Sequence, residues 1–403
     1  MPVDNDHLRG WSACDDWRHS RIRHEHERDL DLRPPSQPVR EANCLWSGMK
    51  KARQMPCIRM SFILVLAVLL VSGADTASAG LLKTFDLFPS FFRCFDVFPT
   101  DKRTRLKLFV EGVIQPNPEI YRRSDVFRTD PATLEKYLDE VTSYLPAIRK
   151  IHARFISESD PVEASFSAHF PDFEMSKANV YLMASLFLFD GKIPHDNPRA
   201  LFLALDGLAK FHGANVRLDV ILSHELFHLY HFQVNPLPAE IDRIPLYRQI
   251  WQEGLATYAS GYLNPGASLA DVLLDPQLAR DGPKYVPAVA RTLLTQLEAA
   301  DDETAARYLS YRRGSETPSR MGYLVGYDIV AHLALTRSLQ ELSRIRGRRL
   351  LHLIQDEMRQ LANLESTSPH FSRPVRNAYS VPTSVGVSRE SIRPGPENFR
   401  GDG

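Results

Sequence analysis

Apolar and polar positions change rhythm several times along this 403-residue chain. Residues 62–71 (FILVLAVLLV) form an unbroken apolar run. Over residues 131–156 the pattern is helical: Leu134, Leu138, Val141 and Leu145 recur at a 3.6-like period, Asp130 can cap, and Pro131 suits the first helical position. Pro146 is expected to kink or divide this helix. Residues 180–189 (VYLMASLFLF) read as a buried strand followed by an Asp190-Gly191 turn, and 200–205 as a second strand closed by Asp206-Gly207. From Val216 to about Leu364 helical patterns dominate. The expected fold is α+β, a small β-sheet followed by a mostly helical half.

The apolar run at 62–71 is too short to span a bilayer, which takes about 20 residues. Lys50, Lys51, Arg53 and Arg59 precede it, and Ala77-Ser78-Ala79 follows as a small-x-small site. Residues 49–79 therefore read as a secretory signal peptide cleaved between Ala79 and Gly80, giving a periplasmic or secreted protein. The competing reading is an uncleaved anchor at 62–71. Residues 1–48 are charged, carry Pro34, Pro35 and Pro38, and read as disordered or as a mis-called extension upstream of a start at Met49 or Met55. Cleavage would remove Cys14, Cys44 and Cys57 and leave Cys94 without an internal disulfide partner.

Three further segments follow. Residues 80–130 form an aromatic N-terminal arm, in which Phe85-Asp86-Leu87-Phe88-Pro89 is nearly repeated at Phe95-Asp96-Val97-Phe98-Pro99. The arm is expected to pack its Phe side chains on the body; the competing reading is a membrane-surface or partner patch giving peripheral envelope association. Residues 131–364 form the main domain. Residues 365–403, with five prolines among Ser and Arg, read as a disordered tail. Charge narrows function further: 49 Lys+Arg balance 49 Asp+Glu, which argues against nucleic-acid binding through phosphate neutralisation.

Within the helical half, His224-Glu225-Leu226-Phe227-His228 is an HExxH motif. On a helix, positions i and i+4 lie about 40° apart around the axis and roughly 6 Å along it, so two imidazoles can converge on one zinc ion. Glu225 then flanks the metal. The surrounding segment is apolar on nearly every side, and a buried helix does not carry two His and a Glu without something to satisfy them. A catalytic site of this kind needs a third protein ligand. Glu253, within Trp251-Gln252-Glu253-Gly254-Leu255-Ala256-Thr257-Tyr258 on the next apolar helix, fits that role; Glu240, in a Pro-flanked loop, is the runner-up.

HExxH followed by a Glu on a later helix resembles the Glu-zincin metallopeptidases. More narrowly, HELFH, then EGLATY, then Gly322-Tyr323-Leu324-Val325-Gly326-Tyr327 is similar to a family of predicted zinc-dependent proteases of unknown function. The resemblance covers roughly residues 180–335. It implies a zincin-like (thermolysin-like) core, zinc (Zn2+) held by His224, His228 and Glu253, Glu225 as catalytic base, and a peptide or protein substrate. Thermolysin-type relatives often place Asp four residues after the ligand Glu; this chain has Thr257 there. Glu225 would take the proton from a water whose pKa the metal lowers towards about 7 and pass it to the leaving amine. Tyr323, Tyr327, His231 and Tyr258 are candidates to stabilise the oxyanion, Tyr323 favoured. His195 and His212 fall near predicted turns and read as surface histidines. By analogy with zincins, the strand ending at Leu205 is a candidate edge for binding substrate backbone.

Two other functions compete with an exported peptidase. One is zinc hydrolysis of a non-peptide amide, since HExxH specifies metal and base but not the acyl group. The other is a non-catalytic envelope protein with a structural zinc site. The second is disfavoured because Glu225 is not needed to hold metal and a structural site prefers four closed ligands.

Overall fold

The computed structural model describes residues 82–97, 101–123, 126–237, 243–312 and 317–364. The segments read as extension, signal peptide and tail, as well as Phe98, Pro99 and Glu240, lie outside them. The fold is α+β with a four-stranded sheet and a predominance of helix. No helix among the described residues is long and apolar enough to cross a membrane.

In chain order, β1 (Lys83–Asp86) leads into α1 (Phe88–Asp96), α2 (Lys102–Phe109), α3 (Pro118–Tyr121), α4 (Pro131–Val141) and α5 (Leu145–His169). Three strands follow: β2 (Asn179–Met183), β3 (Gly191–Lys192) and β4 (Ala200–Ala204). The remainder is helical: α6 (Leu205–Phe211), α7 (Leu218–Val234), α8 (Leu246–Leu263), α9 (Leu269–Leu273), α10 (Pro276–Asp281), α11 (Val286–Leu294), α12 (Asp302–Leu309), α13 (Met321–Leu333), α14 (Leu339–Ser343) and α15 (Gly347–Asn363). The sheet order is β1-β2-β4-β3. β2 pairs parallel with both β1 and β4, whereas β3 runs antiparallel to β4 with Gly191 opposite Leu203.

Pro146 does divide its helix. α4 and α5 meet at a short 3-10 turn over Thr142–Tyr144, and Pro146 occupies the first turn of α5, where a missing N–H costs nothing. α5 runs well past residue 156 because Ile148, Ile151, Phe155, Glu163 and Phe166 continue the buried face.

The apolar run 180–189 is not one strand. β2 stops at Met183, and the chain then wraps around the buried Asp206 carboxylate, which accepts from Ser185 N at 2.7 Å, Phe187 N at 3.0 Å and the Tyr137 hydroxyl at 3.2 Å. Leu186 and Phe187 adopt φ of 59° and 64°, a left-handed turn no strand can contain. Asp190-Gly191 is correspondingly not a simple turn, since Gly191 begins β3. Asp206-Gly207 is likewise not a closing turn: strand β4 ends at Ala204, and both residues lie in the first turn of α6.

β4 is also an interior strand, so the strand ending at Leu205 is not a sheet edge; the edges are β1 and β3. The Phe-rich segment does bury Phe88, Phe91 and Phe95, and it contributes more than an arm. β1 extends the sheet beside β2, Glu163 accepts from Leu82 N at 3.2 Å, and His152 meets Asp86 at 2.8 Å. Cys94 is buried, with its thiol directed to Leu108 O at 3.4 Å.

Candidate metal centre

Helix α7 is buried around most of its circumference, with Leu226, Phe227 and Tyr230 fully enclosed. Against it packs α8, itself buried from Leu246 almost to its end. The α7–α8 seam brings together the residues that spacing singled out. His224 Nε2 lies 3.1 Å from His228 Nε2, and Glu253 Oε2 lies 3.5 Å from each of them.

These three donors fit a metal ion. A tetrahedral ion with bonds of about 2.0–2.1 Å needs donors about 3.3 Å apart, and the triangle here has sides of 3.1, 3.5 and 3.5 Å. It is the group of His, Cys, Asp and Glu able to hold a metal among the described residues. Two imidazoles and one carboxylate suit a first-row divalent ion such as zinc. Electrostatics agree with the ligand role. Burial alone would raise the Glu253 carboxyl, but the His228 and His224 imidazoles outweigh it and hold Glu253 well below the usual carboxylate range. Burial lowers His224 and so favours its neutral, ligating form. At His228 the Glu253 charge outweighs burial and raises the imidazole.

Glu225 sits beside the triangle without belonging to it. Its side chain is buried, its Oε2 has no hydrogen-bond partner, and burial pushes its carboxyl up to about 8. A divalent cation nearby would draw that value down, because opposite charge favours the carboxylate. Gly191 of β3 presses its backbone against Glu225, so closely that a Cβ at 191 would overlap Oε1. Strand β3 thereby fixes the position of the carboxylate from the opposite side.

His224, Glu225 and Glu253 open onto a narrow cleft that is also lined by Asp190, His212, Arg320 and Tyr323. Tyr323 therefore lines the cleft, whereas Tyr327, Tyr258 and His231 do not. Tyr327 and Tyr258 pack ring to ring at 5.9 Å. His231 is buried beside Asn235, and desolvation pushes its imidazole down to about 3. Thr257, where relatives often carry Asp, is buried with an unpartnered Oγ1, and His224 Nδ1 is unpartnered as well. Among the described residues no carboxylate supports that imidazole from behind.

Three cleft residues escaped the sequence reading. His212 is not a surface histidine: its side chain is 9% exposed and its Nε2 lies 2.7 Å from Asp190 Oδ2. Asp190, read as a turn residue, is held ionised by that imidazole against the opposing effect of burial. Arg320 carried no motif. His195 does not line the cleft. No family model, curated protein or solved structure matches the chain.

Proposed function

We propose that the chain is an exported zinc-dependent metallopeptidase with a zincin-like core. The observation that carries this reading is the near-regular triangle of His224, His228 and Glu253 with a second buried carboxylate, Glu225, beside it. A site that merely ties helices together closes with four protein ligands and has no use for the extra carboxylate.

Zinc held by these ligands supplies Lewis acidity, polarising the scissile carbonyl and acidifying water. The protein groups do the rest. Glu225, fixed by the Gly191 backbone, takes a proton from the attacking water and delivers it to the leaving amine. Tyr323, which lines the same cleft, donates to the oxyanion. Strand β3 offers an extended edge along which substrate backbone can align. Export rests on the 62–71 run and the Ala79-Gly80 site.

The test is cleavage of a peptide library by the zinc-loaded protein, with a chelator control and a Glu225→Gln variant. The variant is expected to keep one zinc per chain and to lose turnover by about 100-fold or more, the usual scale for a removed general base. Equal activity of the two proteins would refute the mechanism.

A further inference from the structure

One cation in the cleft has no assigned task. Arg320 immediately precedes α13, and its backbone adopts φ 59°, ψ 28°, a left-handed conformation that costs a non-glycine residue about 1 kcal/mol or more. Its side chain is nonetheless drawn inward, leaving the residue 7% exposed. Nη1 donates to Leu273 O at 3.0 Å and to the Tyr311 hydroxyl at 2.9 Å, and the guanidinium lies 4.0 Å from the centre of the Tyr323 ring. Among the described residues no carboxylate pairs with it, and its Nε and Nη2 make no hydrogen bond.

Asp190 and Asp275 lie near enough to favour its charge but make no ion-pair contact, so a buried guanidinium held on strained backbone with part of its hydrogen-bonding edge unused is costly. The unused edge is informative. Nε and Nη2 form the side-on face of the guanidinium, and elsewhere in this chain that face grips a carboxylate in two-point fashion. Arg217 does so on Asp219 at 2.9 and 2.6 Å, and Arg154 on Glu158 at 2.8 and 2.9 Å. At Arg320 the same face is left for something entering the cleft. The walls beside it are apolar, formed by Phe211, Ile221, Val272 and Leu274. Arg320 lines the same cleft as His224, Glu225 and Glu253.

We infer that Arg320 docks a carboxylate of the substrate, carried next to an apolar group, and so selects anionic peptides. This rests on the peptidase reading of the cleft. The carboxylate has two sources, the C-terminus of a peptide or an acidic side chain within it, and Arg320 recognises their shared planar anion.

The test is calorimetric binding to the full-length, metal-free protein, which separates this inference from turnover. Three probes suffice: N-acetyl-L-phenylalanine, its carboxamide, and N-acetyl-L-glutamic acid α-amide. At least one acid is expected to bind about tenfold or more tighter than the carboxamide. A preference for the first acid identifies chain termini as the source, and a preference for the second identifies side chains. The preference should vanish in Arg320→Met and survive in part in Arg320→Lys, which keeps charge but not the fork. Should Arg320→Met not fold, the acid-to-amide ratio in wild type and in Arg320→Lys decides. Acids that bind no better than the amide, including no detectable binding of any probe, would overturn the inference, as would a preference that persists in Arg320→Met. Failure of the peptidase reading shows instead as absent hydrolysis with the carboxylate preference intact.

Discussion

At Gly191 the β3 backbone lies so close to Glu225 that a single methyl group would occupy the space of its carboxylate. The three atoms that a Cβ at 191 would meet first all belong to Glu225, so this contact touches that carboxylate alone. Gly191→Ala is therefore expected to retain full zinc stoichiometry while activity falls about tenfold or more, because small displacements of a reacting group are expensive. Metal analysis alongside peptide hydrolysis checks it; loss of metal would mean that Gly191 supports the whole site. The residue scale is also where sequence was most and least legible. His224, Glu225 and His228 were readable because one helix fixes their spacing, and Glu253 because a carboxylate on an apolar helix demands a partner. Asp190, His212 and Arg320 come from three separate segments, and no local pattern encodes that they meet.

The site's rigidity belongs to the helices. Gly254, next to the ligand Glu253, lies against Gly326 of α13, the Gly254 Cα being 2.9 Å from where a Gly326 Cβ would stand. Backbone meets backbone, which locks α8 in place. Gly326→Ala forces the helices apart and should lower stability by about 1–3 kcal/mol, the usual cost of overpacking, measurable by denaturant unfolding; an unchanged midpoint would contradict the interlock. The same helix carries Asp328, whose Oδ2 is buried and unpartnered, and burial pushes its carboxyl up to about 7. Its folded pKa exceeds the unfolded value, so the native state binds more protons between about pH 4 and 7 and this residue makes stability fall as pH rises through that window. Asp328→Asn should match wild type near pH 4 and exceed it above pH 7, by up to a few kcal/mol. A constant difference across pH would disprove the assignment. Periodicity captured the long helices and the Pro146 break. It missed the end of β2, because the turn there is organised by Asp206, more than twenty residues downstream of Met183, through bonds that hydrophobic pattern does not record.

Across the whole molecule, the segment Leu82–Val97 belongs with the main body and not outside it. β1 extends the sheet, and Phe88 and Phe91 are fully enclosed. Deleting residues 80–97 should abolish the cooperative thermal transition, whereas a dispensable arm would leave it unchanged. Its aromatic composition was visible in sequence, but its strand pairing with β2 spans nearly a hundred residues and could not be. The proposed function rests on the group of His224, His228 and Glu253, and the titration that examines it most directly adds zinc stepwise to chelator-stripped protein while following hydrolysis of a peptide pool. Activity is expected to rise linearly and break at one equivalent per chain, with Glu225→Gln binding the same equivalent and recovering almost no activity. Recovery without a break at one equivalent, or a Glu225→Gln protein as active as wild type, would contradict it.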